Sequence, residues 1–296
     1  MKAFKNVSVY AEGKGVVKTN VYFDEKIEQI GGYVAGAEEI ALPENAVVLP
    51  GFIDEHIHGA GGSDAMDGNV KDLAIIADTV AKEGTTTFLA TTMTQSKENI
   101  LKAMRAVKEY REESREEGAR IAGVHLEGPF IAAAHKGAQP LEYVAAPDSK
   151  TFDEYNAACG NAIKIITLAP EVDGALDFIR HIVAQGAVVS VGHTGAKYAE
   201  VKAAMEAGAT NVTHTYNAQS PLHHREIGVV GSALLLDDLY CELICDTIHV
   251  SVPAMQLLAK NKRADKLALI TDAMRAKGLA DGVSELGGQT VYVKGG

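Results

Sequence analysis

Two histidines, His56 and His58, stand two residues apart in the segment PGFIDEHIHG, where an apolar run gives way to polar residues. Along a strand, side chains two apart point the same way, so both imidazoles can reach one divalent cation. Further groups with that capacity close later apolar runs: Glu127 in HLEGPF, His193 in VGHTG, His214 in VTHTYNA, Asp246 and His249 in CDTIHV, and Asp272 in ITDAM. The set His56, His58, Glu127, His193, His214 and Asp272 offers imidazole nitrogen and carboxylate oxygen without thiolate, which suits Zn, Fe(II) or Mn. Two arrangements are compatible with these donors. In one, Glu127 bridges a cation on His56, His58 and Asp272 to a second on His193 and His214; in the other, a single cation sits on Glu127, His193 and His214. Such cations lower the pKa of water toward about 7, which makes hydroxide available at neutral pH. Hydrolysis of an amide also needs a base for the water and an acid for the leaving amine, and Asp272 is the expected carrier of that proton.

These residues act together only if the chain brings them to one place. Strand-like runs are predicted at Val47 to Ile53, Thr85 to Thr91, Ile121 to Leu126, Ile163 to Leu168, Ala187 to Val191, Asn211 to Thr215, Tyr240 to Cys245 and Lys266 to Ile270. Most are continuous apolar or β-branched segments, as parallel strands buried on both faces should be. Between them the spacing predicts helices with apolar stripes at Leu73, Ile76, Ala77 and Val80; at Ile100, Ala103, Met104 and Val107; at Leu176, Ile179 and Val183; and at Val201, Ala204 and Met205. Gly84, Gly118, Gly186 and Gly208 stand where these helices should stop, and Lys108 to Glu117 reads as a solvated helical extension. The alternation predicts a (β/α)8 barrel, whose C-terminal strand ends share one mouth.

Residues 1 to 46 break this rhythm, with short strands at Val7 to Tyr10, Val16 to Phe23 and Ile27 to Ile30 that predict a small β appendage. The barrel is expected over 47 to 285, and Gln289 to Lys294, within 286 to 296, as a strand returning to the appendage. No helical pattern follows the eighth strand, so a C-terminal portion is expected to be missing.

The formal charge is −11, from 28 Lys and Arg against 39 Asp and Glu, which argues against a nucleic-acid partner. The longest apolar runs fall well short of the roughly 18 residues needed to span a bilayer. The N-terminal residues turn polar at once, unlike a secretory signal, so a cytoplasmic address is expected. Cys159, Cys241 and Cys245 are expected as reduced thiols, with Cys241 and Cys245 buried on one face of the seventh strand.

In this order, PGFIDEHIHG, HLEGPF, GHTGA, THTYNAQSPLHHRE, CDTIHV and ITDAM resemble the N-acetylglucosamine-6-phosphate deacetylases of the amidohydrolase superfamily, over the chain from about residue 1 to the end. The resemblance implies a cytoplasmic homodimer, dependent on a divalent metal, that takes a phosphosugar and releases acetate and glucosamine 6-phosphate. It implies Glu127, His193 and His214 as the core metal ligands, Asp272 as acid and base, and His249 as the group that polarises the acetyl carbonyl. Substrate contacts are expected at Ala138, Gln139, Asn217, Ala218, Arg225, Asp246 and His249. Arg225 would hold the phosphate with its planar fork, and in this family the equivalent arginine can come from the neighbouring subunit. Where family members carry Lys-Gly-Thr-His or similar, this chain has Lys136-Gly137-Ala138-Gln139, so Gln139 replaces a substrate-contacting histidine. The family also continues beyond this terminus through a substrate loop, a last barrel helix and strands of the appendage. Action on the galactosamine epimer, or phosphosugar binding without turnover, are the alternative readings.

Overall fold

The Pro50-Gly51 pair divides the first apolar run. Pro50 has no N–H to give to a ladder, so pairing stops there. Val47–Val48 runs parallel to Lys2–Ala11, whereas the first barrel strand, β1, spans Phe52–Ile57. The expected strand is therefore displaced toward the C-terminus, and His56 lies inside it. The structure, a computed structural model, describes residues 1–113, 115 and 117–295. It divides into two units, Met1–Phe52 and Ile53–Gly296, a boundary slightly later than the expected 46/47.

In the first unit, Lys2–Ala11 pairs antiparallel with Gly15–Phe23, which pairs in turn with Ile27–Ile30. Val7, Val9 and Val21 form its small core, with Phe4, Phe23 and Val48 packed against them.

The second unit carries an eight-stranded parallel sheet whose spatial order is its chain order. After β1 come β2 (Thr85–Thr92), β3 (Arg120–Glu127), β4 (Ile163–Leu168), β5 (Val188–Val191), β6 (Asn211–Val212), β7 (Tyr240–Ile244) and β8 (Leu267–Ile270). The outer strands of this order approach each other. The Asp272 N–H donates to the His56 carbonyl at 2.9 Å and the His58 N–H to the Ala273 carbonyl at 2.9 Å, so the sheet is a nearly closed barrel. Helices α1 (Val70–Ala81), α2 (Lys97–Glu112), α3 (Ser149–Ala158), α4 (Ala175–Ala184), α5 (Tyr198–Ala207), α6 (Gly228–Leu235) and α7 (Val252–Asn261) follow the first seven strands in turn. Asn69, Ser96 and Asp148 cap α1, α2 and α3 by accepting backbone N–H bonds of the first turn. Of the extension expected to Glu117, the helix reaches Glu112, and Ser114 and Glu116 lie outside the described residues. Among the described residues, no helix is long and apolar enough to cross a membrane.

After β8 the chain forms a hairpin of β9 (Gly282–Leu286) and β10 (Gln289–Val293). Gly287 and Gly288, at φ 58° and 83°, supply the left-handed two-residue turn that matches the twist of paired strands. That turn gives Gln289–Val293 a partner immediately before it in sequence. The strand expected to return to the appendage thus has its ladder within the second unit. Cys159 and Cys241 are buried free thiols, while Cys245 lies past the end of β7 and is exposed, contrary to expectation. The strand stops at Ile244, so the alternation that would have buried Cys245 stops with it.

Below the strand ends the barrel interior is polar: His125 Nε2, Thr167, Thr213 and Ser190 form a buried hydrogen-bonded chain with successive distances of 2.8, 2.7 and 2.6 Å. Gly192 makes room for it. A methyl group there would lie 2.7 Å from Thr213 Cβ and 2.8 Å from Thr167 Cγ2. Gly192→Ala should therefore lower unfolding stability by about 1–3 kcal/mol, the usual penalty for overpacking, read as a shifted urea midpoint at unchanged m-value.

Candidate metal centre and substrate cavity

His56 is the penultimate residue of β1 and Glu127 ends β3, while His58, His193, His214 and Asp272 come just past their strands, where the backbone leaves the ladder and can turn a side chain into the mouth. His193, His214 and Asp272 do so with left-handed backbone, at φ 49°, 26° and 49°. His56, His58, Glu127, His193 and His214 are buried, whereas the Asp272 side chain is 23% exposed and thus open to incoming molecules.

Glu127, the last residue of β3, is at the middle. Its Oε1 lies 3.1 Å from His193 Nε2 and 3.1 Å from His214 Nε2, and those two nitrogens are 3.2 Å apart. Its Oε2 lies 3.3 Å from His58 Nε2. Asp272 Oδ1 is 3.3 Å from His56 Nε2 and 3.2 Å from His58 Nε2. Among the described residues three trios are compact enough for a metal ion: His56, His58 and Asp272; Glu127, His193 and His214; and, deeper in the barrel, His56, His125 and Glu242. The first two face the cavity at the mouth through His58, Asp272, Glu127, His193 and His214, whereas His125 and Glu242 do not line it.

Electrostatics favour positive charge between these groups. Burial alone would raise the Asp272 carboxyl, but His56, His58 and His214 bring it down to about 2. Burial likewise opposes ionisation of Glu127, and His56 and His193 overcome it to hold this carboxyl well below the usual range. Conversely, burial would lower His56, yet Asp272, Glu242 and Glu127 raise it to about 9. The carboxylates thus call for positive charge among the imidazoles, supplied by protons or by a cation that displaces them. His56 Nε2 is a buried nitrogen with no hydrogen-bond partner, directed at that place. His193 Nδ1 lies 3.0 Å from the His135 carbonyl, which needs a proton on Nδ1 and leaves Nε2 free to ligate. The donor set and this geometry fit a divalent metal.

A cavity of about 360 Å³ opens onto the centre, lined by His58, Glu127, Gly137, Ala138, Asn217, Ala218, His249 and Asp272 among others. Asp246 lies behind His249: its carboxylate accepts from the His249 and Ile248 N–H groups and faces His249 Nδ1 at 2.5 Å. Gln139 is buried, and both ends of its amide are engaged: Oε1 accepts from Thr94 N–H at 2.7 Å, and Nε2 donates to Glu127 Oε2 at 2.6 Å. It lines the cavity, where a substrate-contacting residue would stand, and also donates to the candidate ligand Glu127, whose buried carboxylate needs a donor. Arg225 stands on an exposed loop beside His224 and is not among the residues lining this cavity.

Sequence reasoning missed Glu242. A glutamate in the apolar strand YCELI was the signal, since a charge buried there requires a partner.

Imidazole and carboxylate donors gathered at the C-terminal strand ends of a parallel barrel define the metal-dependent barrel hydrolases as a class. The match to known proteins is more particular. The chain belongs to the amidohydrolase family, which it matches over residues 47–286, and to the N-acetylglucosamine-6-phosphate deacetylases within it. It is 48% identical over 261 residues to the N-acetylglucosamine-6-phosphate deacetylase of Bacillus subtilis, covering 88% of this chain and 66% of that protein. It is 35% identical over 277 residues to an N-acetylgalactosamine-6-phosphate deacetylase of Escherichia coli, covering 92% of this chain and 73% of that one. Among solved structures, a mutant N-acetyl-D-glucosamine-6-phosphate deacetylase from Mycobacterium smegmatis in complex with N-acetyl-D-glucosamine-6-phosphate superposes with a TM-score of 0.88. That chain is 29% identical, and the superposition covers 100% of this chain and 76% of that one. The chain thus spans about two thirds of the length of the Bacillus subtilis relative.

Proposed function

We propose that the chain hydrolyses N-acetylglucosamine 6-phosphate to glucosamine 6-phosphate and acetate, working as a cytoplasmic homodimer with Zn or Fe. The observation that carries this reading is the convergence of His56, His58, His193 and His214 on Glu127, with Asp272, the one member partly exposed, against His56 and His58, beside a cavity that also presents His249. These residues would hold a divalent cation, which would supply an acidified water and Lewis acidity at the mouth of the barrel. Asp272 takes a proton from the attacking water and gives it to the amine nitrogen as the C–N bond breaks, the order that amide hydrolysis needs. His249, held at Nδ1 by the Asp246 carboxylate, donates from Nε2 to the acetyl oxygen in its doubly protonated form. Asn217 and Ala218, from the loop after β6, and Ala138 meet the sugar. Arg225 is not among the residues lining its own chain's cavity, which suits an arginine that serves the phosphate site of a second copy.

The test is acetate release from N-acetylglucosamine 6-phosphate by the purified chain with added Zn or Fe(II), with N-acetylgalactosamine 6-phosphate in parallel. We expect turnover of both, with kcat/KM at least tenfold higher for the glucosamine epimer. The reverse order would assign the galactosamine activity, and saturable binding of either sugar without acetate release would reject hydrolysis.

A further inference from the structure

Glu242 occupies the middle of β7 and is 1% exposed. One oxygen does all its visible work: Oε2 accepts the His214 backbone N–H at 3.0 Å and faces His56 Nδ1 at 3.0 Å, while Oε1 is buried without a hydrogen-bond partner. Those two contacts belong to opposite halves of the metal centre. His56 shares its half with His58 and Asp272, and His214 shares the other with Glu127 and His193.

The neighbouring His125 does not compete for this carboxylate. Its Nδ1 lies 3.0 Å from the Glu55 carbonyl and its Nε2 2.8 Å from Thr167 Oγ1, so both nitrogens are engaged. Its ring instead stands edge-on to the His56 ring, with centroids 4.5 Å apart, and walls it in. With that ring confined, the protons can be counted. An ionised carboxylate only accepts, so the Glu242 contact requires a proton on His56 Nδ1. Once a cation has displaced the proton on the other nitrogen, Nε2 presents a bare lone pair toward Asp272 Oδ1 and Glu127 Oε1, at 3.3 and 3.5 Å. The remaining histidines lack such support. His193 Nδ1 faces only a neutral carbonyl, and Nδ1 of His58 and of His214 is buried with no hydrogen-bond partner.

We infer that Glu242 is a positioning residue that fixes the tautomer of His56, and so makes the His56, His58 and Asp272 half of the centre able to hold its own cation. A negative charge behind the imidazole also strengthens the nitrogen in front as a donor. The halves are then unequal: cation binding at His56 depends on Glu242, and binding at Glu127, His193 and His214 does not. This inference rests on the metal centre and not on the sugar assigned above, and it is read without turnover.

Glu242→Gln tests it with little change of shape. A glutamine that keeps its oxygen on the His214 N–H turns its NH2 to His56 Nδ1, which must then accept, and the His56 proton moves to Nε2, into the metal position. Zn(II) titrated into the chelator-treated full chain, followed by competition with a chromophoric chelator and by elemental analysis, should give two equivalents for the wild type. For Glu242→Gln the first equivalent should be unchanged and the second weakened by about 10- to 100-fold, the usual effect of losing such a partner. In a His56→Ala background the second equivalent should already be lost, and adding Glu242→Gln should change nothing further. Glu242→Asp, which restores the charge, should weaken the second equivalent less than glutamine does, and it provides the same reading should the glutamine variant fail to fold. Wild-type binding of only one ion, equal weakening of both equivalents, or two unaltered equivalents in Glu242→Gln would each overturn the inference.

Discussion

Asp272→Asn should lower kcat for deacetylation by about 10³- to 10⁴-fold and leave KM within a few-fold of its original value. The expectation rests on what asparagine keeps and what it loses. The backbone at this position is fixed by the Asp272 N–H bond to the His56 carbonyl and by its left-handed φ of 49°, a conformation that asparagine adopts more readily than most residues. The side chain is nearly the same shape, so the cavity is retained. An amide, however, cannot take a proton from water and pass it to an amine. A loss confined to kcat identifies the proton step; a loss shared with metal content would instead make Asp272 chiefly a ligand. The two are separated by steady-state kinetics and elemental analysis on the same sample. A fall of less than tenfold would remove Asp272 from the role.

Glu127→Gln should be more severe still, with metal below one equivalent per chain and activity down by about 10⁴-fold or more, within what loss of a metal-activated nucleophile entails. Glu127 reaches both trios: Oε1 approaches His193 and His214, and more distantly His56, while Oε2 approaches His58. The Gln139 NH2 already donates to Oε2. A glutamine at 127 therefore meets a donor with its own donor, or turns its NH2 toward His193 and His214, where a ligand oxygen is needed. Neither orientation satisfies both sides, and the buried site admits no third. Metal content near wild type in this variant would show that Glu127 does not hold the centre together.

The clustering of the candidate ligands was legible because each is a polar residue near the close of an apolar run, where barrel geometry gives it a destination. Helical stripes were legible for the same local reason: Leu73, Ile76, Ala77 and Val80 are the buried residues of α1. In α4 the stripe is rotated by about one residue, because Phe178 and Ile182 take the inward positions assigned to Leu176 and Val183. The sequence spacing allowed either, and the bulk of Phe178 against Phe130 and Phe152 decides it. Less legible were contacts made across the barrel. Glu242 and His56 are separated by 186 residues, and Gln139 reaches Glu127 only after the loop between them has folded back. Arg225 was legible as a basic residue in its motif, but not the direction in which its loop would face.

The left-handed backbone at His193, His214 and Asp272 has a bearing on how such a protein evolves. Residues other than glycine held in that conformation carry on the order of 1–2 kcal/mol of strain each, borne by the rest of the fold. Heat tolerance and turnover therefore pull these three positions in opposite directions: glycine would relax the chain there, and only the present side chains supply the chemistry. A lineage moving to a hotter habitat would have to find its extra stability in the surrounding helices and loops, leaving the strained strand ends as they are.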